Sequence, residues 1–307
     1  MNKKKIYLSM MGGIGDQLFQ FSFANFLQKK LKCDAYLDNT YYSTVLNYNK
    51  FKFRLENLIK KNNFKITSNN LRINHRYLSY LRIFNILKLD IIMPSIYNLF
   101  FKIKVKNFIY DHLGKNKDYK IYENSYYFGY WHDFKYVKPL KKNINKNLIE
   151  PHNKKIKIKK FIKNEIKNTT VCVHIRGGDF AKLSSHNLLD QMYYDRAINF
   201  YQKKLNNPNF HIFTNDIRFS KRILCKYDKN YKFKYIKDLN FSDIEEFCLF
   251  TKYKYSIIAN STFSLISTYL SSSRNMSLAP KIWLKGKKLE KRKRFSKLKF
   301  ILNLVFF

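Results

Sequence analysis

Short apolar runs alternate with amphipathic stretches along much of the chain. Ile6–Met10 is an apolar run of strand length, closed by Gly12-Gly13-Ile14-Gly15. From Gln17 to Leu31 apolar residues recur three and four apart, the period of a helix. Strand, glycine turn and helix in that order predict the opening unit of a doubly wound α/β domain. Ala35–Leu37 and Tyr126–Trp131 predict further strands. Residues 40–125 are rich in Lys and Asn with long apolar patches, and no element boundaries are legible there.

The stretch Lys135–Asn168 is dominated by Lys and Asn and carries Pro139 and Pro151, which marks it as a boundary region. It divides an N-terminal domain, 1–150, from a C-terminal domain, 151–307. Beyond it the alternation is regular. Strands are predicted at Val171–Ile175, Phe210–Phe213, Phe233–Ile236, Tyr255–Ala259 and Met276–Leu278, and helices at Met192–Leu205, Phe219–Cys225 and Ser264–Ser271. Ser242-Asp243-Ile244-Glu245 fits a capping box that opens one more helix, to about Lys252. A β-α-β rhythm implies a parallel sheet. Two Rossmann-like halves with a cleft between them form the simplest architecture.

Composition changes this picture only a little. Apolar residues make up 45% of the chain, enough for a sizeable core, and aromatic residues an elevated 18%. Sixty Lys and Arg against 21 Asp and Glu give a formal charge of +39. Such a field gathers anions, whether nucleic acid, nucleotide phosphate or anionic lipid, but a Lys- and Asn-rich bias produces the same surface. Cys33, Cys172, Cys225 and Cys248 lack metal-ligand spacing and read as reduced thiols of a cytoplasmic protein. Neither a secretory signal nor an apolar run of membrane-spanning length is legible. Leu81–Val105, interrupted by charges and Pro94, reads as helical core or as a surface for the membrane interface. The tail Lys285–Phe307 passes from a basic run to apolar residues. It fits either peripheral docking on the inner membrane or a terminal helix packed on the core.

Three segments carry candidate chemistry. The glycine turn at Gly13 and Gly15 exposes backbone N–H groups at a helix N-terminus, which favours an anion; a structural tight turn fits it equally. His174-Ile175-Arg176-Gly177-Gly178-Asp179 directly follows a strand. There the Arg176 fork is placed to grip a diphosphate, and a fixed cation at a departing phosphate stabilises the transition state. No Asp-x-Asp occurs in the chain, so Arg176 is the candidate substitute for the divalent metal that motif would hold. Taken singly, His174 reads as a strand histidine satisfied in the core. Asn260-Ser261-Thr262-Phe263-Ser264 passes from a strand end into a helix, where hydroxyls and N–H groups suit phosphate oxygens or simply cap the helix.

These segments, in this order, resemble the bacterial α-1,2-fucosyltransferase family (glycosyltransferase family 11). Its opening Gly-Gly-Leu-Gly-Asn-Gln-Met-Phe-Gln is matched by Gly12–Gln20, and its Gly-Tyr-Trp/Phe-Gln by Gly129–His132. His-x-Arg-Arg-Gly-Asp-Tyr is matched by His174–Phe180, Ile-Ile-Ala-Asn-Ser-Ser-Phe-Ser by Ile257–Ser264, and Ala-Pro-Lys-x-Trp by Ala279–Trp283. Tyr193 through Asp216 resembles the family's intervening helix and Phe-Ser-Asp-Asp strand. The resemblance implies a GT-B-like fold of two Rossmann-type domains facing across a cleft. It implies GDP-fucose held mainly by the second domain, inversion at the anomeric carbon, a galactoside acceptor in a surface glycan, and neither metal nor other cofactor. Arg176 would hold the diphosphate, with His174 and Asp179 framing the donor. Asn260, Ser261, Thr262, Phe263 and Ser264 would line its phosphate and fucose side. Glu246 falls where the related pattern often has Asp, and would accept from guanine N1–H and N2–H₂; an exposed helix carboxylate is the other reading.

Two departures stand out. Gly177 replaces the second Arg of the family motif, which leaves the diphosphate charge to Arg176, as in the similar single-Arg motif of protein O-fucosyltransferases. Asp16 replaces an Asn, and a carboxylate there is either the base that takes the acceptor proton or a cap for the following helix. Gly177 also motivates a related transferase of another sugar or linkage, or an inactive relative; the competing class is a nucleic-acid-binding protein, motivated by charge and aromatic content. The ordered motifs argue against it, and no nucleic-acid partner is expected.

Overall fold

The computed structural model describes residues 4–43, 50–67, 106–111, 120–178, 189–227, 233–284, 287–288 and 304–306. The chain divides into two compact units, Met1–Lys142 and Asn143–Phe307.

The N-terminal unit is built on a parallel sheet. Its strands are β1 (Lys5–Ser9), β2 (Asp34–Asp38), β3 (Lys65–Thr67), β4 (Asn107–Asp111) and β5 (Ser125–Gly129), in the order β3-β2-β1-β5-β4. Strand β1 pairs with β2 through Ile6↔Ala35 and with β5 through Ile6↔Ser125. Helix α1 (Ile14–Leu31) connects β1 to β2, and the short helix α2 (Glu56–Lys61) precedes β3. Leu18, Phe19, Phe21, Phe23, Ala24 and Leu27 of α1 are completely buried. One side of α1 packs against helix α3 (Phe134–Val137), where Phe19 meets Phe134 edge to face at 5.1 Å. Phe23 stacks on Trp131 with centroids 4.1 Å apart. Rings enclosed in this way contribute roughly 1.5–3 kcal/mol each, so α1 is the unit's central fastener.

Lys135–Asn168, expected as a boundary region, is largely helical. After α3 the chain continues through a 3-10 turn (Lys138–Leu140), α4 (Lys141–Ile144), a π turn (Asn145–Ile149) and α5 (Glu150–Asn153), and then α6 (Ile156–Glu165). Pro139 is the second residue of the 3-10 turn and Pro151 the second of α5, early positions where a missing N–H costs little. The prolines therefore change the helical winding without ending it, and the division between units falls inside this stretch.

The C-terminal unit repeats the design. Strands β6 (Val171–Ile175), β7 (Phe210–Thr214), β8 (Phe233–Tyr235), β9 (Tyr255–Ile257) and β10 (Met276–Ala279) alternate with α7 (Gln191–Lys204), α8 (Ile217–Leu224), α9 (Asp243–Phe250) and α10 (Thr262–Leu270). An antiparallel pair, β11 (Ile282–Leu284) with β12 (Lys287–Lys288), follows, and with β13 (Leu304–Phe306) the described strands of the main sheet run in the order β13-β10-β9-β6-β7-β8, all parallel. Residues 304–306 of the tail thus form an edge strand on β10, in place of the terminal helix that one of its two readings predicts. Val171, Val173, Ile175, Phe210, Ile212, Ile257 and Leu278 form the sheet side of the core. Buried tyrosines of α7 close it while spending their hydroxyls on strand carbonyls: Tyr193 donates to Ile258 at 2.7 Å and Tyr201 to Met276 at 3.0 Å.

All four cysteines are free thiols, with Cys33, Cys172 and Cys248 buried. Among the described residues no helix is long and apolar enough to cross a membrane. Leu81–Val105 and most of the basic run at 285–299 lie outside the described residues.

Candidate functional site

In an open parallel sheet, neighbouring strands whose connections leave in opposite directions open a crevice at their carboxyl ends. Among the described strands each unit has one such place. In the C-terminal sheet it lies between β6 and β9, and the segments after these strands are His174–Gly178 and Asn260–Ser264.

His174, the penultimate residue of β6, is buried, and its Nδ1 lies 2.8 Å from Ser264 Oγ. Burial, with the Arg176 charge beside it, lowers the His174 pKa to about 3, so its ring is neutral at physiological pH. Tyr194 donates to the His174 carbonyl at 3.1 Å and steadies the strand just before half-buried Arg176. Ser261 caps α10, accepting from Phe263 N–H at 3.3 Å, and Thr262 is the first helical residue. Asn260 donates to the Trp283 carbonyl at 3.1 Å, which joins this turn to the late Ala-Pro-Lys-Ile-Trp segment. The structural readings of His174, as a satisfied core histidine, and of Ser261, as a helix cap, are the ones these bonds show. Both side chains are satisfied internally, and in being so they fix a cationic strand end beside a helix N-terminus, the arrangement that receives phosphate.

Gly177 has a different reason to be glycine. A Cβ there would lie 2.7 Å from Cδ1 of Phe219, whose ring from α8 fills the space a side chain would need. Asn215 clamps the same residue, accepting from Gly177 N–H at 3.1 Å. The Arg missing from the motif is thus replaced by ring packing. Asp179 lies outside the described residues.

Glu246 corrects the alternative of an exposed helix carboxylate. It follows the capping box of α9, which is formed as expected, yet only 9% of it is exposed. Its Oε1 has no hydrogen-bond partner among the described residues. Burial raises its pKa to about 7, partly offset by Lys237. Phe263 joins Glu246's neighbourhood to the strand end, with ring centroids 5.5 Å from Phe247 and 5.1 Å from His174. A buried carboxyl left without a partner destabilises a fold, which makes it a candidate for ligand recognition.

The N-terminal crevice lies between β1 and β5. Gly12 has φ +79° and no room for a Cβ, because the Asp16 carboxylate would lie 2.5 Å from it. Gly13 is the residue before α1 and Gly15 its second member. Two wholly buried glutamines pin this turn. Gln17 donates to the Lys52 carbonyl at 2.9 Å, and Gln20 accepts from Met11 N–H at 3.0 Å and donates to the Gly129 carbonyl at 3.2 Å. The last bond brings the end of β5 to the start of α1. There Asp16 Oδ1 accepts from His132 Nε2 at 2.8 Å, so Asp16 does not cap the helix as one reading proposed. Side-chain exposures of 18% for Asp16 and 25% for His132 make the pair worth on the order of 1 kcal/mol to stability. Trp131, just before His132, has φ +52°, a left-handed conformation that costs a non-glycine residue about 1–2 kcal/mol.

A sequence model described as glycosyl transferase family 11 matches residues 5–300. The chain belongs to glycosyl transferase family 11. Relatives of this family 11 glycosyltransferase include the O-antigen biosynthesis glycosyltransferase WbnK of Escherichia coli, 26% identical over 92% of this chain and 95% of that one. An α-1,2-colitosyltransferase of Escherichia coli is 26% identical over 91% of this chain and 92% of its own length. Solved structures that overlap include POFUT1 in complex with GDP, at 12% identity, TM-score 0.43 and coverage of 90% of this chain and 98% of that one. NodZ α-1,6-fucosyltransferase soaked with GDP-fucose overlaps at 11% identity and TM-score 0.48, over 88% and 93%.

In this family 11 glycosyltransferase the matched motifs fall on the turns at both strand-end crevices, and three side chains there form hydrogen bonds that the motifs did not single out. His132, Gln17 and Gln20 lay inside matched motifs without an assigned role. The signal for His132 was paired change: it stands at the family's Gln while Asp16 stands at the family's Asn. Asn215 stands in the matched strand where the family has Asp, whereas Phe219 left no comparable mark.

Proposed function

We propose that this glycosyltransferase moves fucose from GDP-fucose onto a galactoside hydroxyl, with inversion, in an α-1,2 linkage and without a metal ion. The observation that carries the reading is the buried Oε1 of Glu246 without a partner, beside a strand end that bears Arg176. A carboxylate at that place accepts from guanine N1–H and N2–H₂ together, a donor pair that adenine and uracil lack. Arg176 takes the charge that grows on the β-phosphate as the glycosidic bond breaks. The N–H groups of α10 and the hydroxyls of Ser261 and Thr262 complete the anion site. Asp16 supplies the carboxylate needed for removing the acceptor proton, and Asp16→Asn is expected to lower transfer ~10²-fold or more. Near-normal transfer by that variant excludes the assignment. A relative active in O-antigen biosynthesis supports a surface polysaccharide as the acceptor.

Calorimetric titration with GDP, UDP and ADP in the presence of a chelator tests the donor half without knowledge of the acceptor. Selective GDP binding that survives chelation and is lost in Arg176→Ala is the expected result. Equal response to all three nucleotides refutes it. The second reading keeps the guanine site and changes the sugar, and is favoured by the colitosyltransferase relative. Turnover of a fucosyl against a colitosyl donor separates the two.

A further inference from the structure

The N-terminal unit holds a second acid–base group in direct contact with Asp16. We propose that His132 receives the acceptor's proton on Nδ1, while Asp16 acts as its positioning residue. The proposal rests on the transferase reading above and refines which atom performs the proton step.

Hydrogen-bond chemistry fixes the direction. An ionised carboxylate only accepts, so the 2.8 Å contact requires a proton on His132 Nε2. In the neutral ring Nδ1 then carries a lone pair, and it bonds to no described residue. Nothing about the ring's placement is loose. The rings of Phe19 and Tyr130 pack against it at tilted angles, with centroids 5.0 and 5.3 Å away. On one side of His132 the chain turns through the left-handed Trp131, and on the other Asp133 caps α3 by accepting from Lys135 N–H at 3.0 Å. The Gln20 bond to Gly129 holds both partners at the carboxyl ends of adjacent strands, where open sheets bind ligands. A pair that adds little stability, carried on a backbone kept in an unfavourable conformation, points to use in chemistry.

The step balances as follows. The acceptor oxygen forms a bond to the sugar's anomeric carbon as the bond from that carbon to the β-phosphate oxygen breaks, its electron pair leaving with GDP. The hydroxyl proton passes to Nδ1 of His132. The imidazolium that results keeps Nε2–H on Asp16, whose negative charge balances it, and water removes the extra proton after product leaves. Asp16 is thereby essential without being the atom that accepts. Substituting Asn removes both the charge balance and the preference for the Nε2–H tautomer.

The test uses the full chain, GDP-fucose as donor and lactose as the probe galactoside, with GDP release to water followed in parallel. His132→Gln and Asp16→Asn are each expected to lower kcat ~10²-fold, with KM for GDP-fucose and GDP affinity unchanged. The double variant is expected to be no slower than the slower single one, since the pair acts as a unit. Added imidazole is expected to restore turnover partly in His132→Ala and not in Asp16→Asn. Proton–nitrogen correlation of the histidine rings reads the wild-type tautomer without any turnover, the His132 signal being the one absent from His132→Gln. An Nε2–H ring supports the proposal and an Nδ1–H ring overturns it. Wild-type turnover with an indifferent His132→Gln overturns this proposal alone. A wild-type enzyme that consumes no GDP-fucose with either acceptor overturns the donor reading and this one together.

Discussion

The two units set the same topological device to opposite chemical uses. At the N-terminal crevice two titratable side chains, Asp16 and His132, pair through Oδ1 and Nε2. At the C-terminal crevice His174 is kept neutral by burial and by Arg176, and Glu246 is buried without a partner for Oε1. In the reading proposed above, the first is a proton pair that serves an acceptor hydroxyl. The second is incomplete until something with donors and negative charge arrives. A sheet's switch point fixes where a ligand binds; the side chains that are left unpaired there decide what kind of ligand it is.

Substitutions that should touch one site and spare the other test this division. The largest effect is expected for Arg176→Ala: a fall in kcat of about 10²–10³-fold, measured by initial rates. GDP binding should weaken in that variant, whereas Asp16→Asn should leave GDP affinity intact. A shared loss of GDP affinity would dissolve the distinction.

Glu246→Gln should weaken GDP binding about 10- to 100-fold by calorimetry and leave ADP unchanged, as expected for losing hydrogen bonds to a charged acceptor. The same group predicts two opposite responses to pH. Its carboxyl pKa rises from 4.5 to about 7 on folding, so the stability it contributes is complete below pH 4.5 and is lost as pH climbs through about 7. The loss is on the order of 3 kcal/mol in the ligand-free protein and should vanish in Glu246→Gln, as read from denaturant midpoints. GDP affinity should move the other way and tighten from about pH 6 to about pH 8, because guanine's donors need the ionised form. The smallest effect is expected for Gly177→Ala, a loss of about 1–3 kcal/mol in stability from overpacking on Phe219. Thermal melts of this variant and of Gly177→Ala/Phe219→Leu check it, the second change relieving the first.

Much of the fold was legible because its signals are local. Apolar runs of strand length, the capping box at Ser242 and Glu245, and the hydroxyl-rich opening of α10 each depend on neighbours within a few residues. The helical stretch after Phe134 was misread because proline marks a helix start as readily as a break. The site was legible at its turns and opaque in its pairings. Asp16 and His132 are 116 residues apart, and only the pinning of β5 to α1 brings them together. Glu246 looked like a surface residue since a capping box usually faces water; here Phe247 and Phe250, packed on Phe263, draw that end of the helix inward.

The Phe219 ring over Gly177 also constrains how this sequence could change through time. A lineage that acquired a second arginine there in one step would drive its Cβ into an aromatic ring carried by α8. A smaller residue at 219 would have to come first, and by itself that change opens a void. The two positions therefore form a ratchet, and the single-arginine motif is easier to keep than to reverse.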